Sequence, residues 1–154
     1  TVCFFICYNM YIVANIHVVT NKEADCSLGE GLVKQYLEAK KISFRTEHYI
    51  REIRKRYDFS LEWNKTLLFI EFDGEQHFKS INRWGGKEGY LKRRQADIEK
   101  NEYCRNKGIP LLRIRFDQAY LIPNMIDDFL KNSEKYSQQF NTYLADDVYY
   151  SICQ

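Results

Sequence analysis

Three carboxylates and a histidine that are able to do metal-assisted chemistry lie within a short stretch of the sequence. Asp58 is followed by Glu71 and Asp73, and His77 comes soon after them. Side chains two positions apart on a strand point to the same face, so Glu71 and Asp73 share a face, and a hairpin can bring Asp58 beside them. Grouped carboxylates repel one another and take up protons unless a cation lies between them. The spacing therefore predicts a metal site formed by Asp58, Glu71 and Asp73.

The chemistry that such a site supports is hydrolysis of a phosphodiester. Mg²⁺ binds one or two protein carboxylates together with water and phosphate oxygens. It lowers the pKa of its bound water and neutralises charge on the reacting phosphate. His77 titrates near neutral pH, so it is a candidate general base for the attacking water. We expect Mg²⁺ as the cofactor, with Mn²⁺ as the alternative ion.

Each of these residues also has a structural explanation. An acidic residue at a strand end is often a solvated cap, and a single histidine is more often structural than catalytic. Their combination beside one apolar strand is what favours a catalytic site. Glu30 completes with Ser27 the S-x-x-E pattern of a capping box, which explains it as well as a metal role does. Asp97 follows Arg93 by four positions, as in an ordinary ion pair along a helix.

The elements expected to position these residues are helices and strands in alternation. The main signals are the helical spacing of apolar residues after Ser27, the β-branched and aromatic runs around Asp58, and the apolar run that ends in Asp73. The predicted elements are a helix over 27–40, strands over 42–50, 57–63 and 66–73, a mobile glycine loop over 79–89, a helix over 88–107, a strand over 110–116 and a helix over 121–131. The tail from Ser133 shows no clear period. This order predicts an α/β fold with a mixed four-stranded sheet flanked by helices.

The charge balance does not by itself indicate a nucleic-acid partner, because the formal net charge is only +2. Its distribution is more informative, since basic residues lie on both sides of the acidic run. We predict that these residues contact DNA phosphates, which gives affinity rather than sequence choice. The predicted DNA-binding residues are Arg54, Lys55, Arg93, Arg94 and Lys100.

Cysteine usage and the first residues bear on the compartment. The five cysteines contain no C-x-x-C pair, which argues against a disulfide scaffold or a zinc ribbon and favours a reducing, intracellular location. The first twenty residues carry no Asp, Glu, Lys or Arg, a pattern that raises the question of a membrane helix. Polar interruptions and the lack of a basic flank favour a packing segment and no membrane association.

Five short motifs occur in a fixed order along the chain. They are S-L-G-E at 27–30, R-Y-D-F at 56–59, F-I-E-F-D-G-E-Q-H-F at 69–78, R-Q-A-D-I-E-K-N-E-Y-C at 94–104 and I-P-L-L-R-I-R-F at 109–116. This set resembles the EDxHD homing-endonuclease family of phages and large DNA viruses. That family is related to the very-short-patch mismatch-repair endonucleases within the PD-(D/E)XK superfamily. The resemblance covers about residues 27–120.

The resemblance implies a restriction-endonuclease-like core that cleaves double-stranded DNA with Mg²⁺. The catalytic set that it implies is Glu30, Asp58, Glu71, His77 and Asp97. One departure concerns the lysine that usually follows the strand acid, because Asp73 occupies that place. The Lys-based mechanism is therefore in doubt, and the resemblance favours a His-based one.

The expected domain organisation is a single nuclease core with two flanking segments. The core spans 27–132, an N-terminal apolar segment spans 1–26, and a C-terminal tail spans 133–154. No zinc knuckle or helix-turn-helix is recognisable, so sequence choice would come from a homodimer or from a separate recognition module. The alternative function is a non-catalytic DNA-binding module that keeps the nuclease fold, and an RNA-directed nuclease is a weaker third hypothesis.

Overall fold

The structure is a computed structural model that describes residues 27–138. The strands are β1 (Phe44–Ile50), β2 (Lys55–Trp63), β3 (Thr66–Asp73) and β4 (Leu111–Arg115). The helices are α1 (Leu28–Ala39), α2 (Gly86–Lys107), α3 (Ile122–Lys131) and α4 (Ser133–Gln138), and 3-10 turns lie at Glu75–His77, Asn82–Trp84 and Phe116–Leu121. The predicted apolar segment 1–26 and positions 139–154 of the predicted tail lie outside the described residues. No helix within 27–138 is both long enough and apolar enough to cross a membrane.

The four strands form one mixed sheet in the order β1-β2-β3-β4. The pairs β1–β2 and β2–β3 are antiparallel, whereas β3 and β4 are parallel. Parallel neighbours need a crossover connection, and α2 lies in that connection. The sheet with its flanking helices confirms the predicted α/β fold with a mixed four-stranded sheet, and it is consistent with a restriction-endonuclease-like core.

The larger hydrophobic core lies between the sheet and helices α1 and α3. The apolar residues of α1 recur at helical spacing and so share one face, and the apolar residues of β3 and β4 fill the facing side of the sheet. The buried side chains of this core include Val33, Leu37, Phe59, Leu61, Ile70, Leu112, Ile126 and Phe129. This core covers the face of the sheet that points away from α2.

The second face of the sheet packs against α2 and is far more polar. Its small hydrophobic cluster consists of Tyr57, Phe69, Cys104 and Leu111, with the Tyr57 and Phe69 rings stacked at a centroid distance of 4.0 Å. The residues that α2 buries are Asp97, Asn101 and Cys104, which lie on successive turns of one helix face. Buried polar side chains on this face require partners on the sheet, and these partners form the site described below.

The alternation of side chains along β2 breaks at Asp58. Tyr57 packs in the cluster under α2, whereas Phe59, two positions later, packs in the core on the opposite face. The pairing of β2 with β3 begins at Phe59 and Ile70, so the two strands separate on the side of Asp58. Local breaks of this kind re-aim side chains and are common next to functional sites.

Part of the segment predicted as a mobile glycine loop over 79–89 is helical. A 3-10 turn occupies Asn82–Trp84, and α2 begins at Gly86, so the loop prediction was wrong for its last residues. Gly85 and Gly86 have φ of +87° and +56°, which builds a tight turn that other residues adopt at a cost. A Cβ on Gly89 would overlap the Trp84 carbonyl, so this glycine allows the turn to pack directly on the helix.

The start of the tail also differs from the prediction, because α4 spans Ser133–Gln138 where no period was recognised. Tertiary contacts explain this short helix. Tyr136 donates a hydrogen bond to Asp128 Oδ2 at 2.7 Å, and its ring meets Phe129 edge-on at a centroid distance of 4.8 Å. A helix of this length depends on such packing rather than on its own propensity.

Candidate active site

Asp58 and Glu71 brace the two central strands where the regular pairing ends. The backbone N–H of Asp58 donates to Glu71 Oε1 at 3.0 Å. The backbone N–H of Phe72 donates in return to Asp58 Oδ2 at 2.8 Å. These two hydrogen bonds replace strand pairing with side-chain contacts, and they hold two carboxylates side by side. The other oxygen of Asp58, Oδ1, accepts no hydrogen bond from the residues between 27 and 138.

Lys100 reaches this pair from α2. Its Nζ lies 2.7 Å from Glu71 Oε2, and the side chains of Lys100 and Glu71 are 14% and 3% exposed. Lys100, which was predicted to contact DNA, therefore lies against the acidic pair, with its ammonium group bound to Glu71. Asp73 stands where the motif resemblance predicts a lysine, and here a positive charge reaches Glu71 from the helix.

Burial and like charge raise the pKa values of both acids. The pKa of Asp58 is raised well above its usual range by burial and by the Glu71 carboxylate, while the Phe72 N–H and Lys100 act in the opposite direction. The pKa of Glu71 is raised mainly by burial, although Lys100 and Arg113 oppose this. The pair places two carboxylates next to the single ammonium group of Lys100, so one negative charge is left without a direct ion-pair partner. Two adjacent carboxylates with uncompensated negative charge fit a hard divalent cation.

Glu30 lies near this pair at the N-terminus of α1. Its N–H donates to Ser27 Oγ at 3.2 Å, and the Ser27 hydroxyl donates to Glu30 Oε1 at 2.7 Å, so the predicted capping role of Ser27 is confirmed. The Glu30 charge also contributes to the raised pKa of Asp58. A Cβ on Gly29 would overlap the Phe72 ring, so the glycine is what allows α1 to approach β3 so closely.

A second acidic centre contains Asp73, His77 and Asp97. One ligand atom from each lies within 4.8 Å of the others, a grouping that could hold a metal ion. His77 Nδ1 lies 2.8 Å from Asp97 Oδ2 and 3.7 Å from Asp73 Oδ1. The side chain of His77 keeps 18% of its surface exposed, and no residue in the described part of the chain forms a hydrogen bond with Nε2. His77 can therefore act on a group outside while its other nitrogen is held.

Arg113, a residue that sequence reasoning missed, neutralises this second centre. It lies on β4 with a fully buried side chain. Its Nε donates to Asp73 Oδ2 at 2.7 Å, and one NH2 group donates to both Asp73 Oδ1 and Asp97 Oδ1. Burial raises the pKa of Asp97, but Arg113 and His77 together hold that pKa well below its usual range. All four carboxylate oxygens of Asp73 and Asp97 already face a donor of Arg113 or Nδ1 of His77, so this centre fits a resident cation less well than Asp58 and Glu71 do.

The pKa of His77 results from two opposed influences. Burial lowers it, but the charge and the hydrogen bond of Asp97, together with the charge of Asp73, raise it by more, and the net shift is upward. Nδ1 faces two carboxylates and so carries a proton. The neutral ring then has its lone pair on Nε2, which is the form that accepts a proton from water.

The predicted DNA-binding residues do not form one group. Arg54 is exposed in the turn before β2, and Lys55 pairs with Glu99 at 2.8 Å. Arg93 donates from Nε to the Gln76 carbonyl at 3.1 Å and from NH1 to the Trp84 carbonyl at 2.8 Å. Arg94 and Lys100 are both half-buried on α2. Arg93 thus ties the segment that contains His77 to α2, which is a sufficient structural role.

The eleven residues predicted for catalysis, metal binding or DNA binding therefore separate into three groups. The first centre brings together Glu30, Asp58, Glu71 and Lys100. The second brings together Asp73, His77 and Asp97 around Arg113. The remaining four are Arg54, Lys55, Arg93 and Arg94. Arg113 had one signal in the sequence, since a charged residue inside the apolar run I-P-L-L-R-I-R-F must find buried acids.

Comparison with known proteins gives a match to part of the chain. Residues 28–76 match the family model described as competence protein CoiA, nuclease-like domain. No curated protein and no solved structure matches the chain. The matched residues contain the acids Glu30, Asp58 and Glu71 but end before His77 and Lys100. The match is to a different family from the EDxHD branch that the motifs resemble. Over the part that contains Asp58 and Glu71, this chain is similar to a nuclease-like domain.

Proposed function

We propose that this protein is a divalent-metal-dependent endonuclease that hydrolyses phosphodiester bonds in DNA. The single observation that supports it most is the pair of Asp58 and Glu71, held side by side on adjacent strands with Lys100 against them. The similarity of residues 28–76 to a nuclease-like domain supports the same reaction class. The motifs that resemble homing and very-short-patch-repair enzymes support duplex DNA as the substrate.

The first centre would bind the cation and the reacting phosphate. Asp58 and Glu71 are the residues that would hold Mg²⁺ or Mn²⁺, because their negative charge is not fully compensated. When bound, the ion supplies an acidified water and neutralises charge on the phosphate. Lys100 fixes the orientation of Glu71 through Oε2 and adds positive charge next to the phosphate. It thereby takes the part of the missing strand lysine.

The second centre would accept the proton. The water oxygen forms a bond to phosphorus while the bond from phosphorus to the leaving oxygen breaks. The proton of that water passes to His77 Nε2, and the leaving oxygen takes up a proton from solvent water. Asp97 holds Nδ1 at 2.8 Å, which keeps the lone pair on Nε2 and stabilises the imidazolium that forms. In this proposal Asp73 is an anchor for Arg113 rather than the metal ligand predicted from the sequence.

Cleavage of supercoiled plasmid tests the proposal. With Mg²⁺ or Mn²⁺ we expect nicked or linear product, which EDTA abolishes. Asp58→Asn and Glu71→Gln should lower the rate by at least about 100-fold, because they remove ligands needed in the transition state. Glu62→Gln is the matched control, since Glu62 is an exposed carboxylate on the same strand as Asp58, and its rate should stay at the wild-type level.

Three outcomes separate the alternatives. An inert wild type that still binds plasmid in a salt-sensitive way would contradict the nuclease and favour the non-catalytic DNA-binding module. Equal loss of activity in Glu62→Gln and Asp58→Asn would show that the assay reports folding rather than the site. Faster cleavage of RNA than of duplex DNA with the same sequence would replace the proposed substrate class. Sequence choice is proposed to come from a second copy of the chain or from a separate recognition module.

A further inference from the structure

The buried guanidinium of Arg113 donates hydrogen bonds to three side chains of the site, although the proposed reaction has no step at Arg113. Its side chain is fully buried between β4 and α2. It donates to both oxygens of Asp73, to Asp97 Oδ1 at 2.7 Å, and from NH1 to Asn101 Oδ1 at 3.0 Å. A buried charge costs several kcal/mol unless it is paired and hydrogen-bonded, and this one is paired twice. Such a network fixes the position of every group in it.

We propose that Arg113 is a positioning residue for His77, acting through Asp97. The guanidinium occupies Asp97 Oδ1 and leaves only Oδ2 for His77 Nδ1, at 2.8 Å. Asp73 holds the guanidinium from the other side in a two-point contact. This inference rests on the proposed function, in which His77 is the general base. The geometry that holds His77 is present with or without substrate.

The planar fork of arginine is what makes this arrangement work. One NH2 group donates to Asp73 and Asp97 at the same time, so it sets the distance between the two carboxylates. A lysine ammonium would keep the charge but is a point donor on a flexible stem, and it cannot hold both acids in fixed orientations. Asp97 would then be free to turn, and His77 would lose the partner that fixes its protonated nitrogen.

The test uses Arg113→Lys with Arg115→Lys as the matched control. Arg115 is on the same strand, but its partner Asp117 is on the surface, and their side chains are 20% and 44% exposed. The readout is the ¹⁵N spectrum of the His77 ring, recorded at a pH where the ring is neutral. In the wild type and in Arg115→Lys, Nδ1 should be protonated and Nε2 unprotonated. In Arg113→Lys the two forms should be mixed.

Cleavage kinetics give the second readout. We expect kcat of Arg113→Lys to fall on the order of 10- to 100-fold, the usual effect of losing a supporting residue, with KM within about 3-fold. A folded Arg113→Lys protein with the wild-type ring spectrum and wild-type kcat would overturn the proposal. If Arg113→Lys does not fold, Asp73→Asn provides the same comparison, because it weakens the two-point hold on Arg113 while leaving Asp97 in place. An unchanged His77 spectrum in that variant would equally overturn the proposal.

Failure of the nuclease proposal and failure of this one are distinguishable. A wild type that cleaves no nucleic acid contradicts the nuclease, but the ring spectra still decide whether Arg113 fixes His77. Conversely, an active Arg113→Lys protein whose His77 ring shows a single tautomer would leave the nuclease proposal intact. It would show that Arg113 does not position the general base.

Discussion

At the scale of single residues, the environment of His77 predicts how the cleavage rate depends on pH. Its pKa is lowered by burial and raised by more through Asp97 and Asp73 together, so the net shift is upward from the usual value near 6.5. A general base must be unprotonated to accept a proton. The acidic limb of the rate profile should therefore lie above pH 6.5, and kcat should rise as pH increases through the His77 pKa.

Asp97→Asn tests this assignment, because the amide has only one orientation that satisfies its neighbours. Arg113 NH2 must donate to an oxygen at the place of Asp97 Oδ1, so the amide nitrogen turns toward His77 Nδ1. The ring then keeps its proton on Nε2, the wrong nitrogen for a base. We expect kcat to fall roughly 100-fold or more, and the residual acidic limb to move to lower pH because the carboxylate that raised the pKa is gone.

The measurement is kcat against pH at saturating DNA for the wild type and Asp97→Asn, with Glu62→Gln as the control. An acidic limb that stays in place in Asp97→Asn would assign it to a group other than His77.

At the residue scale, the sequence was informative about acids that lie close together along the chain. Asp58 and Glu71 lie on neighbouring strands joined by a tight turn, so spacing alone was sufficient to predict that they meet. Arg113 comes from a strand that is distant in sequence, and only the sheet order brings it to Asp73. The contact of Lys100 with Glu71 likewise depends on how α2 crosses the sheet, which no local pattern specifies.

Among the elements, α1 depends on a glycine for its approach to the site. Gly29→Ala would push the helix away from the Phe72 ring, and overpacking of this kind typically costs about 1–3 kcal/mol. Gly31→Ala lies on the same helix with no atom within 4 Å of its added Cβ. This control should stabilise the protein by about 0.5–1 kcal/mol, as expected for alanine in a helix.

Urea unfolding of Gly29→Ala and Gly31→Ala measures the change in the free energy of unfolding that each substitution causes. Because Phe72 also donates the backbone hydrogen bond that holds Asp58, Gly29→Ala should lower cleavage while Gly31→Ala leaves it unchanged. Equal stability of the two variants would mean that α1 moves away without cost and that Gly29 has no role in placing it.

The predicted elements were close to the observed ones wherever a strong period existed. The apolar run of β3 and the capped start of α1 were predictable from side-chain pattern alone. The beginning of α2 was placed too late because Gly86 and Gly89 are poor helix formers. Their positions are determined by the turn at Gly85 and by contact with Trp84, which are tertiary effects.

For the whole molecule, the raised pKa values of Asp58 and Glu71 make stability depend on pH and on the cation. The folded pKa of each acid lies above its unfolded value near 4, so the native state binds more protons than the unfolded chain. Their contribution to stability is present at low pH and is lost as pH rises from about 4 through the folded pKa values. In EDTA we therefore expect Asp58→Asn to be more stable than the wild type at pH 7, by about 1 kcal/mol.

Mg²⁺ should return this lost stability to the wild type. A ligand that binds only the folded state at 100 times its Kd stabilises by about 2.7 kcal/mol. Asp58→Asn should lose this increment, whereas Asp97→Asn should keep it if the first centre holds the ion. Thermal unfolding with and without Mg²⁺ measures both. The opposite pattern would assign the ion to the centre of Asp73, His77 and Asp97.

From the parallel pairing of β3 with β4, we expect the site to be assembled in a definite order during folding. β1, β2 and β3 follow one another through short turns, so their pairing closes only small loops. β4 can pair with β3 only after the whole of α2 has been placed, and contacts that are distant in sequence form slowly. Asp58 and Glu71 thus meet early, while Arg113 reaches Asp97 late. A chain emerging from the ribosome would hold its acidic pair before it could fix His77, and the proposed hydrolysis would begin only when β4 docks.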